Sequence, residues 1–386
     1  MLGRGLQLNR EAIPVPRQAR TEGHRFQAGS YEFTPIASTG DPFTDFAPYV
    51  PAVNNLGVVA FQATLRAGGS GVFAGSGGQL SSITEVPMDS VRDVCSHPDI
   101  DDRGSACYYA NLTSGRRAVV LVRDGRISTL VGNAGPLGPT INEHGTMAYR
   151  TGAESEATGI FTRSDGLVTP IAATGEVFSA FLGLPVINSR GRVAFRADLA
   201  SGGQGVYTGD GGPPVVVART GRIFSDLGQF PAMDDAGSVA FCASLAGGGS
   251  GVFVASAGDI ETIIDTDGLF ESFRGVLLPD EGGLIFYATP RGGKLGVFCG
   301  PDPERDCLLS VGAPFLGSTV VDFALNPVSI NRVGQIAIRV KLANNEQFVL
   351  RADPRGRQPA VLAARVPLLT RAAVGRIYRS PIYRRS

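Results

Sequence analysis

Twelve residues before each of seven regularly spaced glycines, this 386-residue chain carries a polar side chain: Asp45, Arg92, Asn133, Ser179, Ser225, Glu271 and Asp322. Asp93 and Asp226 stand beside two of them. Carboxylates gathered around one opening supply the hard oxygen ligands that calcium or magnesium takes, so Asp45, Glu271 and Asp322 are the candidate metal ligands and Arg92 the group that would place an anion. The same residue types also make ordinary solvated turns, because Ser, Asn and Asp side chains bond their own backbone.

The second of these positions is the most unusual. The stretch VPMDSVRDVCSHP brings Arg92, Asp93, Cys95 and His97 together within a few residues. A thiol two residues from an imidazole has the types of a nucleophile and its base, and along a strand both point to one side, but such a pair is recognised by geometry rather than by proximity in sequence. Three histidines in the whole chain argue against a histidine-based zinc site. DIDDRG, from Asp99, imitates the start of a calcium loop, yet Ala110 stands where that loop needs Glu. The glycine-rich GGSGVF and GGKLGVF lack the Gly-Lys-Ser/Thr of a phosphate-binding loop.

What positions these residues is a repeat. Asn or Asp, two residues, Gly, two residues, a small residue and an aromatic recur as NNLGVVAF, DDRGSACY, NEHGTMAY, NSRGRVAF, DDAGSVAF, DEGGLIFY and NRVGQIAI, with Gly57, Gly104, Gly145, Gly191, Gly237, Gly283 and Gly334 as the marker glycines. Asn or Asp starts a tight turn and Gly supplies the positive φ that closes it. Gly-Val-Phe or a near equivalent follows most marks, as at Gly205-Val206-Tyr207 and Gly251-Val252-Phe253. Pro51, Pro98, Pro139, Pro185 and Pro231 precede the glycines at a constant distance, and proline, lacking an N–H, belongs on an edge strand. Four short strands in each unit of roughly 45 residues, one of them an edge strand, repeated seven times, predict an all-β, seven-bladed β-propeller of four-stranded blades with the proline-bearing strand innermost. The connectors carrying Asp45 and its counterparts then share a face with the glycine-rich loops around the mouth of the central channel.

The expected organisation is a basic extension over residues 1–30, the propeller over 31–366 and a basic tail over 367–386. YEFTPIASTG, residues 31–40, supplies the outer strand missing from the seventh blade; QPAVLAARV from Gln358 is the other segment able to fill that place. Residues 1–25 hold five arginines against two glutamates, and residues 352–386 hold eight arginines against Asp353, although the formal net charge is zero. The body is therefore acidic, which argues against nucleic acid as its partner and leaves an anionic partner for the tails. No apolar run is long enough to span a bilayer, and the first residues lack the apolar core of a secretory signal, so the chain as written reads as cytoplasmic, or exported if translation starts upstream. Five cysteines without metal-ligand spacing read as reduced thiols, with Cys299 and Cys307 the pair able to meet.

The seven marks, trailed by Gly-Gly loops and Gly-Val-Phe, resemble the bacterial tandem-repeat proteins named for the N-x-x-G-x-x-A-F motif, over about residues 31–351. The resemblance implies a propeller-like repeat fold, names no activity, and implies export for many members. The leading functional expectation is a module that binds a small polar ligand or a partner at the channel mouth through the polar ring. The alternatives are a metal- or acid-assisted hydrolase or lyase in the funnel, and a scaffold that uses its basic C-terminal tail.

Overall fold

The computed structural model describes residues 16–18, 31–40, 42–86, 91–131, 137–151 and 158–355. Among them, seven sheets of antiparallel strands follow one another along the chain as the blades of a β-propeller. Blades 1 to 6 span residues 43–86, 91–131, 140–173, 178–219, 224–265 and 270–310. Blade 7 takes its inner strands from residues 318–354 and its outer strand from Tyr31–Ser38, which pairs antiparallel with Gln347–Pro354. The ring is thereby closed by the N-terminal strand, within a compact unit that ends at Arg355. The segment from Gln358 and the basic tail lie outside the described residues, as does most of the N-terminal extension. Arg17–Gln18 is described, and adds a short parallel strand to the outer edge of blade 5 beside Glu261–Thr262.

Each repeated residue type has a local cause. The prolines sit where the innermost strand is interrupted: Pro51 separates Phe43–Asp45 from Ala52–Val53, and Pro98 and Pro231 fall at the matching gaps in blades 2 and 5. Blade 4 keeps one long inner strand, Phe178–Ile187, and Pro185 lies within its register shift between Leu182 and Val186. A residue without an N–H occupies a place where the ladder is already broken.

In blades 1, 4, 5 and 6 the aromatic of the mark stacks on the aromatic of Gly-Val-Phe, and a phenylalanine from the inner strand meets the pair edge-on. In blade 4, Phe195 stacks on Tyr207 at 5.7 Å while Phe178 approaches Tyr207 at 4.9 Å and 84°. Phe61, Phe73 and Phe43 repeat this in blade 1, Phe241, Phe253 and Phe224 in blade 5, and Phe286, Phe298 and Phe270 in blade 6. Such edge-to-face contacts add to the apolar area these rings bury. The glycine of Gly-Val-Phe is dictated by the same cluster: a Cβ at Gly205 would lie 2.4 Å from the Tyr207 ring.

One mark shifts by a residue. In blade 6 the left-handed turn glycine is Gly282, at φ +101°, not Gly283, and Phe286 rather than Tyr287 stacks in the core. Pro279 therefore stands in the first turn position, and Asp280 in the second.

Candidate functional site

In six blades, blade 3 excepted, the inner strand runs from a bulge at one end to the tight turn at the other, and these two ends divide the candidate residues. Arg92, Ser179, Ser225 and Glu271 sit at the bulge and are exposed. In blades 1 and 7 the bulge residues are Thr44 and Val321, so Asp45 and Asp322 are one position out of register with the rest of the proposed ring. Most of these groups already have partners. Asp45 Oδ1 accepts from Ala47 N and from Gln347 Nε2 of blade 7, both at 2.8 Å. Asp226 accepts from Gln204 Nε2 of blade 4 at 2.9 Å, and Gln204 Oε1 takes the Leu227 N–H at 2.8 Å. Both aspartates thus join neighbouring blades. Asp93 pairs with Arg92 at 2.8 Å and accepts from Asn111; Asp322 pairs with Arg339 at 3.0 Å. Among the described residues no group of three or more His, Cys, Asp or Glu side chains, Asp45, Glu271 and Asp322 included, is arranged to hold a metal ion. Asn133 lies outside the described residues.

Cys95 and His97 do not form a nucleophile and base. Burial pushes the Cys95 thiol up to about 11 and His97 down to about 3, so both stay neutral near pH 7. His97 is packed against Gly138, its Nε2 buried without a partner. All five cysteines are free thiols, Cys299 and Cys307 included.

The turn end of the channel is different. There a cavity of about 140 Å³ is lined by residues of all seven blades. Its rim is the second residue of each turn: Asn55, Asp102, Glu143, Ser189, Asp235, Asp280 and Arg332. Four carboxylates and one guanidinium thus face a single opening. The turns hold one another in place. Asn55 N donates to Asp102 Oδ1 at 2.8 Å, Ser189 N to Asp235 Oδ1 at 2.8 Å, Asp235 N to Asp280 Oδ1 at 2.6 Å, and Arg332 N to Asn55 Oδ1 at 3.1 Å. Asn55 Nδ2 also bridges Asp102 Oδ2 and Glu143 Oε2.

The first turn residues form a second, buried tier. Asn54, Asn142, Asn188 and Asn331 accept N–H groups of their own turns through Oδ1 and donate Nδ2 to the equivalent carbonyl of the following blade, at 2.9 to 3.2 Å. Beneath them Asp99 lines the cavity wall of blade 2, its oxygens taking the Ile100 and Ile141 N–H groups. Loss of water raises Asp99 to about 7 against those two bonds. Asp280, at the rim, is raised to about 6 by desolvation and then by repulsion from Asp235 and Asp234, with Arg332 opposing.

DIDDRG is the ordinary repeat turn: Asp101 Oδ1 accepts from Arg103 and Ser105 N–H groups. The rim residues occupy the unspecified positions of the repeat mark, where their mixed types conceal them; the visible signal is acid at Asp102, Glu143, Asp235 and Asp280.

No curated protein matches the chain. Among solved structures it is similar to the Cps50 (Swd1) β-propeller domain of Myceliophteria thermophila, at 8% identity and a TM-score of 0.49 over 81% of this chain and 98% of that one. It is also similar to an oligogalacturonate lyase in complex with manganese, at 11% identity and a TM-score of 0.49 over 85% and 99%. These likenesses transfer neither ligand nor activity. No helix among the described residues is long and apolar enough to cross a membrane. Residues 32–229, half of the chain, match one family throughout, and the chain belongs to that family, the family of unknown function DUF7453.

Proposed function

We propose that the protein is a binding module whose ligand is a small polar molecule carrying positive charge, held at the turn-end mouth of the central channel. The observation that carries this reading is the rim itself: Asp102, Glu143, Asp235 and Asp280 converge on one concavity to which all seven blades contribute. A concave site with low-dielectric walls focuses the field of like charges and raises the local concentration of an oppositely charged ligand. Backbone N–H groups fix three of the four carboxylates, so little ordering remains to be done on binding. Arg332 gives the rim one positive point, suited to the acidic or hydroxyl end of a ligand whose other end is an amine. Descent from the N-x-x-G-x-x-A-F tandem-repeat proteins is part of the same proposal.

Titration calorimetry with putrescine as the cationic probe and 1,4-butanediol as its neutral counterpart tests the reading. Putrescine should bind with an affinity that rises between pH 5 and 7, as Asp280 loses its proton. Asp102→Asn combined with Glu143→Gln keeps the hydrogen-bond acceptors and should weaken binding by tenfold or more. Equal binding of the diol, or no heat with putrescine at pH 8, would sink the proposal.

A further inference from the structure

Away from the channel, a cleft of about 330 Å³ separates blade 2 from blade 3. Its blade 2 wall carries Leu121 and Arg123 on one strand, paired directly with Ser128 and Arg126 on the next. Its blade 3 wall carries Met147 paired with Arg163, and the hairpin turn at Asp165–Gly166. Three guanidinium groups therefore surround one cavity.

Their arrangement is electrostatically unfavourable on its own. Arg123 and Arg126 are cross-strand partners, and like charges directly opposite repel. Arg123 makes a long contact to exposed Asp165, at 3.5 Å, its Nη2 donates to Gly145 O at 3.3 Å, and it attracts Asp101 without a direct ion pair. Neither Arg126 nor Arg163 has an ion-pair partner among the described residues. Arg123 Nε and Arg163 Nη1 are buried N–H donors with no hydrogen-bond partner. Unpaired buried donors of a charged group are a standing cost, which an acceptor ligand removes. In blade 4, by contrast, Arg192 has a close partner in the hairpin residue Asp210, at 2.9 Å.

We propose that this cleft is a binding site for a small phosphate monoester. Three guanidiniums offer the forked donors that match tetrahedral oxyanions, and the lining keeps a net positive charge after Asp165 and Asp124 are counted. Leu121 and Met147 form an apolar floor that receives the organic part of the ester, and the cavity is at the lower end of the size range of small-molecule sites. The site is independent of the channel reading, because its charge is opposite and it shares no lining residue with the channel mouth.

The test is calorimetric titration of the full chain with phenyl phosphate, inorganic phosphate and neutral phenyl methyl ether. Phenyl phosphate should bind more tightly than inorganic phosphate, and the ether not at all. Arg126→Gln, at an exposed strand position, and Arg163→Gln should each weaken phenyl phosphate by tenfold or more, whereas Arg126→Lys should recover part of the loss. Asp165→Asn should tighten it two- to threefold by removing the competing carboxylate. Inorganic phosphate binding as well as the ester would overturn the monoester assignment. An affinity that is absent in the wild type, or unchanged in Arg126→Gln with its unfolding temperature preserved, would overturn the site altogether.

Discussion

Blades 2 and 4 share a repeat pattern but solve the joint to the next blade differently. In blade 4, Asn188 uses Oδ1 for its own turn and Nδ2 for the Asp234 carbonyl of blade 5. In blade 2, Asp101 caps its turn equally well, yet has no N–H to offer blade 3, and its Oδ2 is left buried without a partner. Asp99 compounds the difference, standing where blade 4 has Val186. For building the turn Asn and Asp are equivalent, as the repeat mark treats them; for holding blades together they are not. The ring thus has joints with this amide bond and joints without it, and the blade 2 joint, which lacks it, carries buried acid.

The largest break in this comparison should come from Asn188→Asp. It removes the donor to Asp234 O and sets a buried carboxylate against a carbonyl, costing about 3–4 kcal/mol at pH 8 by chemical denaturation. The cost should shrink toward pH 4, where a protonated Asp can again donate. An equal loss at both pH values would mean that the interblade bond is not the cause.

Asp99 should give the next largest effect. Its folded pKa of about 7 lies above the ordinary Asp value of 3.8, so the native state holds the proton longer than the unfolded chain does. The associated stability is complete below about pH 4 and is lost as pH rises through 7, on the order of 4 kcal/mol in all. His97, lowered to about 3, acts in the opposite direction, its stability being complete above about pH 6.5 and lost on acidification. Comparing unfolding free energies of wild type and Asp99→Asn from pH 4 to 8 isolates the Asp99 part. The wild type should lose its advantage over the variant steadily across that range, and a constant difference would refute the assignment.

The smallest change sharpens the comparison. Asp101→Asn gives blade 2 the donor that blade 4 already has, aimed at Asn142 O, and should stabilise the protein by about 1 kcal/mol at pH 7. A destabilised variant would show that the attraction between Asp101 and Arg123 outweighs the new bond.

The propeller was readable because its causes are local. A positive-φ glycine, a proline at a ladder gap and a glycine under an aromatic ring each leave one residue type at one spacing. The register of blade 6 was not readable, because the Gly282-Gly283 doublet offers two frames and only the packing of Phe286 selects one. The ring from Asp45 to Asp322 is out of register in two blades for a related reason. Counting back from the turn assumes inner strands of constant length, and blades 1 and 7 each carry an additional residue before the turn. The acidic rim is not legible in the sequence because which end of a strand opens on a cavity is a property of all seven blades together. Asp102, Glu143, Asp235 and Asp280 differ in type and gain common meaning only when the ring closes.

That closure also determines how the molecule meets a mechanical load. Tyr31 is registered opposite Pro354, and Ser38 opposite Phe348, so the two chain segments leave the blade 7 hairpin side by side. A pull applied at residues 31 and 354 would open the outer strand in unzipping geometry, one rung at a time from Tyr31 inward. The clasp that closes the ring is thus the place where such a load is first felt.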